Sequence, residues 1–511
     1  MAETTFQLKG HYFNGEFHQV PTTGLSAAEK FIERNCPADL SQTLWSLPLD
    51  YRHIDEVLDS AQNGFKYWRT LSSEERINYL KAFQVEVDKR KDELARVISL
   101  ETGKPLWEAH TEVASVIGKV DVTIKDSLPR IAVKQYENIA PETNAQLHFK
   151  PIGPSLVIGP FNFPCHLANG QILSALISGN SIIFKPSEKT CYSGQLLIEC
   201  FHQAGLPKGV INLVQGDGES ARRMLQSKIV KGVFFTGSKE VGLKVLQSTY
   251  QDLSKLVSLE LGGKNPAIIH SDAQFDHALQ EILKGSFLTA GQRCTSTALV
   301  YIHASLADRF VEQLHQLAKK IIVDHPIDAE QEPFMGPLID QRAIDEYLLY
   351  MGMAKREGLT EIMRGKALER KTQGHYVSPS IHFANSFDSK SHFLISEIFG
   401  PNCTIIPYKE IDEAISMANS TEYGLAASVF TKDQGIFEQC LRDIDAGLIN
   451  LNRSTVGASA KLPFGGVKNS GNYRPAAVST IDACVYQLAS LQVGEQHVQE
   501  VSSIKGLDLN R

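Results

Sequence analysis

From Leu156 onward, short apolar runs recur about every 25 residues: SLVIGP, SIIFKPS, INLVQG, GVFFTGS and LVSLELGG. Between them lie stretches of helical length and period. Strands that are apolar throughout, alternating with helices, predict a parallel sheet covered on both faces. A second alternating series runs from PAIIH (266–270) to GLINL (447–451), with a less regular stretch around 325–375. Before both, residues 50–125 read as helical, with Ile54, Val57, Leu58, Ala61 and Phe65 on one face. Ser72-Ser73-Glu74-Glu75 has the form of a capping box. Two segments, 144–151 and 482–491, alternate like half-exposed strands. They pair either between subunits or as an arm within one chain.

This rhythm predicts an α/β protein of three units. Residues 1–128 and 151–262 form a nucleotide-binding domain, residues 263–465 a catalytic domain, and 129–150 with 478–493 a small β arm. A length of 511 residues fits that count at roughly 150 residues per domain. The net charge of −7 lacks the basic footprint that nucleic acid or anionic lipid requires, so neither is an expected partner. The start MAETTFQLKGHYFNGEF has no basic region followed by an apolar run, and no stretch approaches the ~18 apolar residues of a membrane span. Eight scattered cysteines without C-x-x-C or zinc-like spacing predict reduced thiols, a cytoplasmic protein and no metal site.

Parallel sheets bind nucleotides beyond the carboxyl ends of their strands, so the strand-end turns carry the candidate chemistry. In Gly159-Pro160-Phe161-Asn162-Phe163-Pro164, the Asn162 amide either holds a developing oxyanion or stabilises the turn. Lys185 and Glu188 either grip ribose hydroxyls or form a solvated pair; an acid here favours NAD over NADP. Gly237, Ser238 and Gly242 suit a pyrophosphate at a helix start, or ordinary capping. Glu260, inside an apolar strand end, is expected to have a raised pKa suited to a general base. Cys294 lies in the loop GQRCT among small and polar residues, where a thiol is open to reaction. Most cysteines, however, are small core residues.

Seven motifs in order, GPFNFP, KPSE, FTGSKEVG, LELGGKNP, GQRCT, EIFGP and PFGGVKNSG, resemble the aldehyde dehydrogenase superfamily over nearly the whole chain. The 34-residue spacing from Glu260 to Cys294 fits as well. The resemblance implies a Rossmann-like nucleotide-binding domain and a homodimer or homotetramer. It makes Cys294 the nucleophile, Asn162 and the Cys294 N–H the oxyanion donors, and Glu260 the base that hydrolyses a thioester. Lys185 and Glu188 would contact the adenine ribose of NAD, Gly237, Ser238 and Gly242 the pyrophosphate end, and Glu397 the nicotinamide ribose beside Phe399. Ser396 replaces an acid that the family usually carries before I-F-G-P, and Asn472-Tyr473-Arg474-Pro475 stands where many members have G-R-E.

FNFPCHLANGQI, ETGKPLWEAHTEV, NLVQG and SGNYRPAA are similar to the branch that oxidises N-succinylglutamate 5-semialdehyde in bacterial arginine catabolism. Cys165, Ala168 and Ser296-Thr297 depart from that branch. Such a substrate carries two carboxylates, for which Arg293, Arg453 and the Gly457-Ala458 loop are candidates. Arg293 alternatively pairs with a structural acid, and the loop is alternatively a tight turn. Glutamate or succinate semialdehyde are the competing substrates. CoA-acylating members lack the base that Glu260 supplies, and a catalytically silent binding protein would be expected to lack Cys294, Glu260 or Asn162.

Overall fold

The computed structural model describes residues 5–19, 31–141, 143–494 and 506. Residues 1–4, 20–30 and 142 of the expected units lie outside the described residues. The first sheet runs in the order Leu256–Glu260, Gly232–Thr236, Ser155–Ile158, Ile182–Lys185, Ile211–Leu213, His11–Phe13, Glu16–His18. The first five strands are parallel and the last two form an antiparallel hairpin. Ser155–Ile158, Ile182–Lys185 and Ile211–Leu213 are buried throughout, as their apolar runs require when helices cover both faces. Register pairs Ile158 with Lys185 and with Phe235, and Thr236 with Glu260. The polar strand ends therefore emerge on one edge of the sheet.

The chain leaves Glu260 and, after four residues, enters the second sheet at Asn265. That sheet has the order Thr360–Met363, Ser380–Phe383, Asn402–Tyr408, Thr297–His303, Asn265–Ile269, Ala426–Phe430, Leu448–Leu451. Only Thr360–Met363 is antiparallel. Asn265 pairs with Thr297, so the segment ending at Cys294 enters the second sheet beside the strand that follows Glu260. Carboxyl ends of the first sheet thus meet amino ends of the second.

The helical reading of 50–125 resolves into Ile54–Trp68, Ser73–Lys89, Lys91–Thr102 and Leu106–Val122. The capping box forms: Glu75 N–H donates to Ser72 Oγ and Ser72 N–H to Glu75 Oε2. Ahead of them, the hairpin Phe31–Cys36/Asp39–Pro48 falls in the span expected for nucleotide binding. It buries Cys36, Leu44, Trp45 and Leu47 in the core of the second sheet. Its tip is fastened there by Tyr376 and Thr372, whose hydroxyls donate to Ala38 O.

The small third sheet has the order Val485–Val493, Thr143–Pro151, Lys134–Ala140. Its long strands pair within one chain over nine residues. Residues 478–484, expected in the arm, instead form a helical turn, with Ile481, Ala483 and Cys484 in the first core. Among the described residues, no helix is long and apolar enough to cross a membrane, and no cluster of His, Cys, Asp or Glu is arranged for a metal.

Candidate active site

Cys294 follows a strained turn. Thr289, Ala290 and Gly291 have φ of 57°, 52° and 69°, three consecutive left-handed residues. A β-branched threonine in that region costs roughly 1–3 kcal/mol, so the surroundings must impose it. They do: Thr289 Oγ1 donates to the buried Glu108. Ser296 Oγ donates to Gly291 O at 3.0 Å, and Gln292 Oε1 accepts from Ile339 N–H at 3.0 Å. A Cβ on Gly291 would lie 2.1 Å from Gly400 O, so only glycine lets the turn lie against the EIFGP segment. Asn265 completes the clamp, its Nδ2 donating to Cys294 O at 2.7 Å and to Ser296 O at 2.9 Å. No side chain could replace Gly263, whose Cβ would stand 2.6 Å from Cys294 O.

Three predicted groups come together at this loop. Asn162 is buried and its Nδ2 donates to Gln292 O at 2.8 Å, two residues before Cys294. One of its two amide hydrogens remains for a substrate oxygen. The Cys294 thiol is pushed up to about 12 by burial, and further by Glu397 and Glu260, against the opposing pull of Arg293. The sulfur therefore keeps its proton at rest, although the thiol is half-buried in its loop and open to reaction as the sequence suggests. Glu260 is buried, accepts one N–H from Ala476 at 3.2 Å, and leaves Oε2 without a partner. Burial raises it well above the ordinary carboxyl range. Glu397 accepts from Gly263 N–H at 3.0 Å and is pushed up to about 7 by burial, which outweighs that hydrogen bond and Lys264.

The segment after PFGG explains how Glu260 is held. Asn472 takes both sides of the exposed edge of its strand: Leu259 N–H donates to Oδ1 at 3.0 Å, and Nδ2 donates to Val257 O at 2.9 Å. Ser258 Oγ donates to Arg474 O, and Leu261 N–H to Ser470 O. The departure Asn472-Tyr473-Arg474-Pro475 is thus a side-chain and main-chain brace for the strand that ends in Glu260.

The cofactor candidates line the carboxyl edge of the first sheet. Lys185 is buried, donates to Pro186 O at 3.0 Å and lies 3.8 Å from the half-exposed Glu188. Ser238 is the exposed N-cap of Lys239–Thr249, its Oγ accepting from Val241 N–H, at a helix start of the kind that can receive an anion. Gly237 and Gly242 serve packing as well, since a Cβ would meet the Phe235 ring at 2.5 Å or Leu261 at 2.7 Å. A Cβ on Gly262 would strike the Glu397 carboxylate at 2.0 Å. Phe399 stands edge-on to Phe161, with ring centres 5.9 Å apart. A helix N-terminus, a buried lysine with an adjacent acid and a second, half-buried carboxylate suit the pyrophosphate and hydroxyls of a dinucleotide.

The profile of the aldehyde dehydrogenase family matches residues 25–487. The chain belongs to the aldehyde dehydrogenase family. It is therefore an oxidoreductase acting on aldehydes, as the motifs imply. It is 39% identical over 492 residues to an N-succinylglutamate 5-semialdehyde dehydrogenase of Legionella pneumophila, covering 95% of each chain. A protein of that name from Photorhabdus laumondii is 34% identical, over 96% of this chain and 97% of the relative. Betaine aldehyde dehydrogenase of Staphylococcus aureus, solved in complex with NAD+, superposes with a TM-score of 0.88 at 28% identity, covering 97% of both chains.

The substrate candidates fare differently from the rest of this aldehyde dehydrogenase's site. Arg293 takes its structural alternative. Its Nε donates to Thr289 Oγ1 at 2.7 Å, Nη2 to Glu108, and its guanidinium lies over the Phe163 ring at 5.0 Å. Held by an acid 185 residues away in sequence, it braces the nucleophile loop rather than waiting for a ligand. Arg453 is exposed and donates to Gly457 O at 3.4 Å, across a turn in which Gly457 has φ +84°. Gly457 and Ala458 are exposed. The turn is tied down by Thr455, whose hydroxyl meets that of Thr297 at 2.7 Å. Residue-by-residue reading missed Glu108, Asn265, Gln292 and Asn472; their types are ordinary, and only their distant partners give them work.

Proposed function

We propose that this aldehyde dehydrogenase oxidises N-succinylglutamate 5-semialdehyde to N-succinylglutamate with NAD, as in arginine catabolism. The observation that carries the reaction is the meeting of Cys294, Asn162 and an under-hydrogen-bonded Glu260 at one loop. The substrate reading is supported by identity of 34–39% to relatives bearing that name over nearly the full chain. Cys294 gives its thiol proton to water in the cleft, and the Sγ thiolate attacks the aldehyde carbon. The Asn162 amide and the Cys294 N–H hold the resulting oxyanion. NAD, when bound, accepts the hydride. With the hydride gone, Cys294 carries a thioester. Glu260 takes a proton from water, the water oxygen adds to the thioester carbon, and the carboxylic acid leaves as Sγ is released.

Lys185, Glu188, Gly237, Ser238, Gly242, Glu397 and Phe399 are the proposed cofactor residues, with Glu188 disfavouring a 2′-phosphate. The three-stranded arm exposes Tyr136, Ile139, Tyr486, Leu491 and Val493 and leaves strand edges open, which supports a role in a homo-oligomer. All eight cysteines are free, as in a reducing cytoplasm.

Following NADH absorbance with the N-succinylglutamate, glutamate and succinate semialdehydes tests the substrate. A kcat/KM for the succinylated aldehyde at least tenfold above the others, about 1.4 kcal/mol of discrimination, is expected. Equal or reversed values keep the chemistry and discard the substrate.

A further inference from the structure

With Arg293 committed to Glu108, the cation for an acidic substrate must be sought elsewhere. One face of the helix Leu106–Val122 carries three buried charged residues: Glu108, Glu112 and Lys119. Glu108 holds Arg293 beside the nucleophile. Glu112 accepts from Cys165 N–H and His166 N–H, and forms a fully buried ion pair with Lys104 at 2.6 Å. Lys119 has no such acid. Its ammonium donates to Ala477 O at 3.0 Å, and among the described residues that is its one hydrogen bond. Asp126, further along the chain, acts on it only at longer range. An ammonium has three donors, and burying one without a counter-charge is costly unless a ligand supplies it.

Lys119 is buried, and the residue it approaches on the helix His166–Ile177 is a glycine, Gly170. A Cβ added to Gly170 would touch, outside its own helix, only Cε of Lys119 at 3.5 Å. His166, on the same face, is half-buried and leaves its Nδ1 without a partner. Ala477, whose carbonyl accepts the Lys119 hydrogen bond, follows Ala476, whose N–H donates to Glu260. The polar face of the helix Leu106–Val122 thus runs from the nucleophile loop at Arg293 to the Ala476–Ala477 segment that contacts Glu260.

We infer that Lys119 determines specificity by binding a carboxylate of the semialdehyde whose reacting carbon sits at Cys294, with Gly170 providing the room. This rests on the acidic-semialdehyde reading above. Burial draws the lysine down to about 8, and a carboxylate brought beside it would meet an ammonium that no adjacent acid of the chain neutralises.

The test compares Lys119→Met, Lys119→Arg and Gly170→Val with the wild type, using the three semialdehydes and uncharged pentanal. For Lys119→Met, the loss in kcat/KM on the preferred acidic aldehyde should exceed the loss on pentanal by at least ~30-fold. The loss should fall mainly in KM, and Lys119→Arg should restore part of it. Gly170→Val, which leaves the charge but fills the space, should also lose more on the acidic aldehyde. Equal losses on charged and uncharged aldehydes would mean that Lys119 merely supports Ala477, and would overturn the inference. If Lys119→Met does not fold, the Arg and Gly170 variants decide in the same way. A wild type that prefers glutamate or succinate semialdehyde, with that preference collapsing in Lys119→Met, discards the succinylated substrate and keeps Lys119. A succinylated preference that survives in Lys119→Met does the reverse. No preference for any acidic aldehyde overturns both.

Discussion

Glu112 and Glu260 are both buried, at 1% and 5% exposure. Their surroundings differ. Glu112, between a helix and the turn after Asn162, has both oxygens taken by two N–H groups and the Lys104 ammonium. Glu260, at a strand end beside Cys294, has one N–H on one oxygen and nothing on the other. The first is a structural acid whose charge is neutralised within the fold. The second keeps an acceptor free, and burial without compensation raises its pKa. What separates a chemical carboxylate from a structural one is how fully it is satisfied, since burial is shared by both.

The largest effect is expected at the group that Glu260 faces. Cys294→Ala should lower NADH formation by at least ~10⁴-fold, because the thioester route loses its nucleophile. Undiminished turnover in an absorbance assay would remove the reason for regarding Glu260 as a catalytic base. Glu260→Gln keeps the volume and removes the base. Steady-state kcat should fall about 10²–10⁴-fold while a pre-steady-state NADH burst survives, since hydride transfer precedes hydrolysis. In the wild type, a carboxyl raised by burial is protonated at low pH and becomes a base only as pH climbs through its raised pKa. Steady-state turnover should therefore rise with pH, and the acidic limb should vanish in Glu260→Gln.

Glu112 should respond oppositely. Glu112→Gln leaves Lys104 buried without its counter-charge, a loss of about 3–5 kcal/mol in stability. A thermal scan should show a clearly lower unfolding midpoint, with the NADH burst of the surviving protein intact. A burst lost at unchanged stability would erase the distinction between the two acids.

This contrast was only half legible in the sequence. Apolar strands and polar strand ends are local properties, so the first sheet and the line of Lys185, Thr236 and Glu260 along one edge follow from the pattern. The pairing of Arg293 with Glu108 spans 185 residues and leaves no local trace, so the arginine read equally well as a ligand. Thr289 and Ala290 are left-handed against their own preferences, imposed by contacts from other segments. Residues 482–484 read as the start of an alternating strand because their apolar positions also suit the buried helical turn that 478–484 form. The hairpin at 31–48 precedes the first helices in sequence yet packs into the second core, which its own residues could not announce.

Asn472 offers the smallest effect and the finest probe of what holds Glu260. Its amide mimics a neighbouring strand, accepting from Leu259 N–H and donating to Val257 O on the sheet edge that ends in Glu260. Asn472→Ala removes both bonds, but the site is half-buried and water can reach part of what is left. The cost should be about 1–2 kcal/mol of stability, nearer the net value of two hydrogen bonds than that of two orphaned buried groups. Glu260 keeps its own contact with Ala476, so the carboxylate itself loses no partner. Its strand loses a brace on one side. Hydrolysis, which needs the carboxylate in register with the thioester, should therefore slow severalfold while the burst amplitude stays unchanged. Steady-state and burst kinetics on one preparation separate the two. A smaller burst would show that the brace also reaches the nucleophile loop, and that the two walls of the cleft are held as one.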